Sequence, residues 1–513
     1  MPDLQWEHKD KAQGKKIKSV ANEKTNLLNF SEFIRPKVIH RFKKKKKFLE
    51  SENGKRTKES KEKWRNKLFQ GDCLKVLGCL QNDYIGKIDL IYIDPPFFSR
   101  KNQYYKVFIG EPKRSLKKIA YTDLWNKGLD SYLSFLYERL CLMKELLSDQ
   151  GSIYVHLDHH ASHYVKIMLD ELFGSDFFRN EIIWHYPAAS AQTKNFFVRS
   201  FDSILFYSKT EEYIFNNDPR IYMEYSDRVS NALQKDEKGY FYYRGGSHDG
   251  KKLSRKVYVE RKGVFPRDVW TEIPYIRANT MEYQGFSTQK PERLLKRIIL
   301  ASSNKDSIIA DFFCGSGTTI AAAEKLGRNW IGCDMNWHAI NIVKKRLLSI
   351  QKSNDLLDWD ITYHKLSRPF AIFYLDKKNL EQAISSQFLK ENIKIKEIKE
   401  LNHPKVAIKI KQDNSRVKVQ LTNYLHFYDR ILKETHQEKV KSWKDYIDLF
   451  SIDFNYENGR FSPDWIEFRT PKKREMIFES GWYHPEDAKS ITIKIRTLDI
   501  FGVETYTERE VKL

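Results

Sequence analysis

Between residues 67 and 354, short, almost unbroken apolar runs alternate with longer stretches whose apolar positions recur at helical spacing. The runs Ile88-Asp89-Leu90-Ile91-Tyr92-Ile93, Ile153 to Leu157, Ile308-Ile309-Ala310 and Asn329-Trp330-Ile331-Gly332-Cys333-Asp334 have the length and continuity of strands buried on both faces. Lys67-Leu68-Phe69-Gln70 reads as a further strand. Leu133, Leu136, Tyr137, Leu140, Met143 and Leu147 form one helical stripe, read as core. Further helices are predicted around residues 164–172 and over Ile320 to Leu326, the latter closed by Gly327. Strands alternating with helices predict an α/β, doubly wound, mostly parallel sheet.

Past residue 355 the period changes to two. Val406, Ile408 and Ile410 alternate with polar neighbours, as do Val417, Val419 and Leu421, and Gln412-Asp413-Asn414-Ser415 between them predicts a hairpin. Asn458-Gly459 marks another turn, and Ile491-Thr492-Ile493-Lys494-Ile495 alternates strictly. Residues 355–513 therefore read as an accessory α+β or β-rich domain. The pattern there contains no catalytic constellation and leaves open a ligand contact, homodimer formation or docking of a partner subunit. Residues 1–66 are rich in lysine, include the run Lys43 to Lys47, and lack periodicity. They read as a basic, flexible tail, solvated or gripping phosphates.

Two strand ends carry chemistry. The first apolar run ends in Asp94-Pro95-Pro96-Phe97. In an open α/β sheet, ligands bind at the carboxyl ends of the strands. There Asp94 can accept a hydrogen bond from an amino group. The prolines stiffen the backbone and aim its carbonyls, and Phe97 offers a face on which a base can stack. The second strand leads into Asp311-Phe312-Phe313-Cys314-Gly315-Ser316-Gly317-Thr318-Thr319 and then a helix, the opening of a nucleotide-binding βαβ unit. Gly315 and Gly317 allow close backbone approach to a ligand. Asp334, about 20 residues on, stands where an acid binds ribose hydroxyls. The loop lacks the third glycine of a dinucleotide site, and no G-x-x-x-x-G-K-[ST] occurs in the chain. S-adenosylmethionine, an adenosine without a pyrophosphate, suits such a loop.

With these motifs in one order, the chain resembles the permuted, amino-methylating DNA methyltransferases in which the catalytic motif precedes the cofactor motif. Adenine-specific enzymes, including type III modification subunits, are the nearest likeness. The resemblance runs from about residue 68 to residue 348. It also rests on Gly71-Asp72-Cys73-Leu74, Gly151 to Asp158, Phe178 to Trp184, Asp268 to Pro274 and Thr288-Gln289-Lys290-Pro291-Glu292. It implies a Rossmann-like methyltransferase domain over residues 67–354, with a target-recognition insertion at 185–285, where aromatic and basic residues interleave (Tyr240 to Gly246, Val257 to Arg261). It further implies methyl transfer from S-adenosylmethionine to the exocyclic amine of a flipped adenine in double-stranded DNA, in a restriction-modification setting. Asp94, Pro95, Pro96 and Phe97 would be the catalytic residues. The cofactor would lie against Phe313, Gly315 and Gly317, with Asp334 on its ribose, Asp72 near its adenine and Thr288 and Lys290 along its methionine end. Asp311 reads equally as a cofactor contact or a structural cap. Two positions depart from the family pattern: Phe312 replaces a proline, and Phe97 replaces the usual tyrosine and so lacks its hydroxyl. In these relatives serine before Pro-Pro accompanies cytosine methylation, so Asp94 points to adenine. A non-catalytic DNA-binding subunit on the same scaffold is the alternative from another class.

Composition agrees. The chain of 513 residues suffices for about two to four domains, and 41% hydrophobic residues suffice for a sizeable core. A formal net charge of +22 favours a polyanionic partner. The five cysteines (73, 79, 141, 314 and 333) form no metal or redox spacing and fit a reducing cytoplasm. No metal is called for, because a sulfonium methyl is already activated. No membrane-length apolar stretch or signal-peptide pattern appears. The segment from Phe98 to Asp130 is expected to be a long functional loop in which Lys101, Tyr104, Tyr105 and Lys106 contact the extruded strand.

Overall fold

The computed structural model describes residues 28–36, 39, 66–110, 114–126, 128–187, 195–248, 251–259, 263–375, 404–425, 440–485 and 488–513. The lysine run 43–47 and the residues Glu260 and Arg261 lie outside them. At the centre is a ten-stranded sheet in the order Leu28–Ile34, Phe370–Leu375, Asn66–Gln70, Asn329–Asp334, Ile308–Asp311, Ile88–Ile93, Leu147–Leu157, Phe201–Ser208, Phe178–His185, Val269–Trp270. Six neighbouring strands, from Phe370–Leu375 through Leu147–Leu157, are parallel. Phe201–Ser208 then runs antiparallel between Leu147–Leu157 and Phe178–His185.

Helices cover both faces, as a sheet of continuous apolar strands requires. Cys73–Tyr84, Leu129–Leu146 and Ser162–Phe173 pack on one face. Glu292–Ala301, Thr318–Lys325 and Trp337–Ser349 pack on the other. The strands Ile88–Ile93 and Ile308–Asp311 are adjacent, with Ile309 opposite Leu90 and Ala310 opposite Ile91. The chain leaves the first toward one face and the second toward the other. That divergence opens a crevice at the carboxyl edge, the switch point where open α/β sheets hold ligands. This is the doubly wound architecture read from the sequence.

Four expectations need correction. Within the N-terminal tail, Leu28–Ile34 is no solvated segment: it is an edge strand antiparallel to Phe370–Leu375. The central sheet also runs past residue 354, because Phe370–Leu375 pairs with Asn66–Gln70. Inside the 185–285 stretch, Phe201–Ser208 and Val269–Trp270 belong to the central sheet. A separate three-stranded sheet forms from Gln234–Asp236, Gly239–His248 and Lys251–Val259. Finally, the segment after Phe98 is a hairpin, Asn102–Phe108 with Ser115–Thr122. Tyr105 is buried there between His338 and Phe286, at ring separations of 4.0 and 5.9 Å, and is core.

The C-terminal part is β-rich. Lys405–Asp413 and Arg416–Leu425 form the predicted hairpin, with Asn414 at φ +50° in its turn. Trp465–Phe468, Ile447–Asp453, Ser490–Asp499 and Glu504–Lys512 form a four-stranded sheet. Its core is continuous with the hairpin at Tyr105 and with Ala339 and Ile342 of the Trp337–Ser349 helix.

Glu32 fastens these parts together. It is fully buried and accepts hydrogen bonds from Lys344 Nζ (2.9 Å) and an Arg496 guanidinium nitrogen (2.6 Å), both also buried. Burial opposes the Glu32 charge, but the two cations outweigh it and hold its pKa below the ordinary value. Burial and the nearby Arg496 charge bring the Lys344 ammonium down to about 8. Removing one member of such a set leaves buried charge uncompensated. Glu32→Ala is therefore expected to destabilise the protein by about 3–5 kcal/mol, read as a lowered denaturant midpoint, whereas alanine at exposed Glu475 leaves the midpoint unchanged.

Candidate active site

The crevice at the switch point encloses about 1040 Å³, including its open mouth. Asp72, Asp94, Pro96, Thr288, Lys290, Asp311, Phe313, Gly315 and Asp334 all line it. Two motifs more than 200 residues apart in sequence thus face one space. Pro95, Phe97 and Gly317 are beside the cleft without lining it.

Asp94 follows the last residue of the Ile88–Ile93 strand. Its Oδ2 accepts a hydrogen bond from Lys290 Nζ at 2.7 Å, and its Oδ1 is buried with no partner among the described residues. Lys290, placed by the resemblance along a cofactor's methionine end, therefore sits on the carboxylate of the other motif. The Lys290 ammonium is also 5.0 Å from the Phe97 ring centroid. Phe97 stacks on His156 at 6.0 Å and 19°. His156 is fully buried, with Nδ1 2.8 Å from the Tyr92 hydroxyl and Nε2 3.1 Å from Asp202 Oδ2. Burial works against the Asp202 charge, but His156 and the Tyr186 hydroxyl stabilise it and lower its pKa. After Phe97 the chain turns sharply, with Phe98 at φ +62° and Arg100 at φ +56°. Asp123 fixes that turn by accepting hydrogen bonds from the Ser99 amide and hydroxyl, each at 2.6 Å.

The glycine loop is built from its two acids. Asp311 caps it: Oδ1 accepts from the Phe313 amide (3.0 Å) and Oδ2 from the Thr319 hydroxyl (2.5 Å). Asp334 Oδ2 accepts from the Gly315 amide (2.9 Å), and Oδ1 from the Asn336 amide (2.8 Å). Burial raises the Asp311 pKa to about 7 and that of Asp334 to about 6, against these hydrogen bonds. Gly315 has φ +48° and open space on its Cβ side, with no atom nearer than 3.9 Å. Gly317, at φ +74°, is packed so closely that a Cβ would lie 2.7 Å from Val343. The first glycine thus leaves room at the cleft, and the second lets the loop seat on the Trp337–Ser349 helix. Asp72 caps the Cys73–Tyr84 helix through the amides of Leu74 and Lys75. Its other oxygen accepts from Arg139 at 2.9 Å. Thr288 hydrogen-bonds the Tyr121 side chain.

Sequence reasoning missed Arg139, Tyr121, Phe135, Phe286 and Asn336, which also line the cleft. It missed Arg346 as well, which holds the loop from behind through the Ser316 carbonyl (3.0 Å) and Glu292 (2.7 Å). Asn336 had a signal, since it lies two residues beyond the acid at the strand tip. Phe286 lies on the loop just before the Thr288 motif, whereas Arg139, Phe135 and Arg346 come from helices and Tyr121 from the hairpin, with no local motif. Asp158, His159 and His160 cluster near the end of the Leu147–Leu157 strand, without a role in this cleft.

A family model described as DNA methylase, N6_N4 type, matches residues 88–345, half of the chain. The chain belongs to this DNA methylase family. The family takes its methyl group from S-adenosylmethionine. Among curated proteins, the methylase is 32% identical over 303 residues to the type II methyltransferase M.EcaI of Enterobacter cloacae, covering 51% of this chain and 64% of that protein. It is 30% identical to the DNA adenine methyltransferase YhdJ of Escherichia coli, covering 55% and 82%. It is 26% identical to the Mod subunit of the type III restriction-modification enzyme StyLTI of Salmonella typhimurium, covering 51% and 50%. Among the described residues, no helix is long and apolar enough to cross a membrane.

The raised Asp311 pKa has a consequence for stability. The unfolded carboxyl ionises near its ordinary 3.8 and the folded one near 7, so the folded methylase retains the proton between these values. This contribution is fully present below about pH 4 and is lost as the pH rises through 7. Asp311→Asn, whose amide keeps both neighbours within hydrogen-bonding reach, is expected to flatten that decline. Urea midpoints compared across about pH 4–8 should move in the variant's favour as the pH rises.

Proposed function

We propose that the methylase transfers a methyl group to the exocyclic amine of an adenine flipped from double-stranded DNA, with Asp94 as the principal catalytic residue. The observation that carries this reading is the state of that carboxylate. One oxygen is pinned by Lys290, and the other is buried at the cleft without a donor among the described residues. A buried acceptor left unpaired costs about 1–3 kcal/mol. An incoming amino group would remove that cost.

The cleft suits the donor. Its lining carries four acidic side chains, Asp72, Asp94, Asp334 and the partly protonated Asp311, against two cations, Arg139 and Lys290. Such a lining favours a cationic ligand. Gly315 leaves space for it, Phe313 and Phe135 supply apolar walls, and Asp334 stands at the strand tip for ribose hydroxyls. Asp72 and Thr288 complete the contacts, while Asp311 and Gly317 shape the loop. S-adenosylmethionine, when bound, supplies a methyl group on a sulfonium sulfur already activated for displacement.

A base within a duplex hides its amine, so it must leave the stack at a cost of roughly a few kcal/mol. Stacking on Phe97 returns roughly 1–3 kcal/mol. The Asp94 carboxylate and the Pro95 carbonyl each accept one N–H, while Pro95 and Pro96 keep the corner rigid. Holding both hydrogens draws the nitrogen toward tetrahedral geometry and frees its lone pair for the methyl. Asp94, bonded to that nitrogen, is the nearest base for the proton then released. Lys290 orients Asp94. Preorganised positioning of this kind is the usual source of such rate acceleration.

The aspartate before Pro-Pro and the likeness to an adenine methyltransferase support adenine as the base. The likeness to a Mod subunit supports a restriction subunit as a further partner in a cytoplasmic modification system. The small sheet at 234–259, with Tyr243 and Tyr258 exposed, is the proposed target-recognition surface. Labelled methyl transfer to genomic DNA, followed by identification of the modified base, tests the whole reading, and label on cytosine would overturn the adenine assignment. Asp94→Ala should lower turnover at least about 10²–10³-fold while cofactor binding, followed by calorimetry, stays near the wild-type value. Undiminished turnover would defeat the assignment of Asp94.

A further inference from the structure

One short run breaks the rule that large apolar side chains avoid water. Phe196 is 57% exposed, Phe197 98%, Val198 42% and Phe201 44%. Isolated exposed apolar residues are ordinary, but a contiguous group marks a surface that something covers.

Its position points to what that is. Phe201 begins the Phe201–Ser208 strand opposite His185, and the Ser200 carbonyl accepts from the Tyr186 amide at 2.8 Å. The next residue, Asp202, holds His156, and His156 carries the Phe97 ring. Because Phe201–Ser208 runs antiparallel to Leu147–Leu157, its start lies at the same edge of the sheet as the end of the Ile88–Ile93 strand and the mouth of the cleft. Arg199 lies over the Phe196 ring at 5.0 Å, and its charge is felt at His159, at the end of Leu147–Leu157. Flat apolar faces interrupted by a cation, at the sheet edge that also carries the cleft in a chain of net charge +22, match a surface of stacked bases between phosphates.

Extruding a base leaves a hole in the duplex, and aromatic or aliphatic side chains are the fillers that proteins insert between base steps. We propose that Phe197 is that wedge. Its ring enters the stack at the position vacated by the flipped adenine, while Arg199 contacts a flanking phosphate. This rests on the reading of the cleft given above and names the residue that keeps the base out.

The test uses the full chain, S-adenosylmethionine and two duplex oligonucleotides carrying the site mapped by genomic methyl transfer. In one the target adenine is paired with thymine, and in the other it faces an abasic position and is already unstacked on that side. Phe197→Ala should lower the single-turnover methylation rate about tenfold or more on the paired duplex and less than about threefold on the other. Phe197→Tyr, which keeps the ring, should retain the wild-type ratio. Because Phe197 is exposed, the thermal midpoint of both variants should equal that of the wild type. Equal losses on the two duplexes, or no loss on either, would overturn the wedge while leaving the cleft assignment intact. So would loss of self-association in sedimentation with an unchanged ratio, which would make the patch a contact between copies of the chain. Absence of any methyl transfer to genomic DNA, so that no site can be mapped, removes the cleft reading and the wedge together.

Discussion

Everything at the cleft depends on the parallel pairing of two short strands, Ile88–Ile93 and Ile308–Asp311, in the middle of the sheet. Only two residue pairs define their register. Yet that register brings Asp94 and Asp311 to the same carboxyl edge and one cleft, and the segments that follow go to opposite faces. Shifting either strand by one residue would turn its buried side chains to the wrong helical layer. The apolar cost of such a slip fixes the two acids at that edge.

That arrangement concentrates negative charge, and the protein offsets it in different ways. Asp94 has Lys290, Asp72 has Arg139, and Asp311 and Asp334 have backbone amides and a hydroxyl. The last two are the acids whose ionisation burial opposes most visibly. Behind the loop, Arg346 and Glu292 hold the backbone from the helical side. The cleft therefore has apolar walls studded with charged side chains and a loop held from beneath, a combination suited to binding a charged ligand in one pose.

Much of this was legible in the sequence, for a physical reason. Strand-end acids, prolines and glycines act through their own backbone, so Asp94-Pro95-Pro96-Phe97 and Gly315-Ser316-Gly317 carry their meaning locally. The buried helical stripe at 133–147 and the hairpin at 412–415 were equally plain, because periodicity is local too. Arg139, Arg346 and the His156–Asp202 pair were not, because each acts on a partner 30 to 67 positions away. The segment after Phe98 misled for a related reason. Tyrosines interleaved with lysines look alike on a nucleic-acid surface and on a hairpin that buries one face, and nothing nearby reveals that His338 and Phe286 enclose Tyr105. The strand at 28–34 hides within a lysine-rich stretch because its partners, Phe370–Leu375 and Arg496, come hundreds of positions later.

That last separation bears on how the molecule is made. Of the two cations that offset the Glu32 charge, Arg496, at 2.6 Å, emerges 464 residues after it. At synthesis rates of about 5–20 residues per second, the interval is roughly 20–90 s. Lys344, the other cation, follows Glu32 by 312 residues and the partner strand Phe370–Leu375 comes after it, so docking of Leu28–Ile34 onto the sheet edge waits for both and gains its full charge compensation only with Arg496. Assembly of the central sheet thus starts without its first-made strand, and closure of that edge becomes one of the last events of folding.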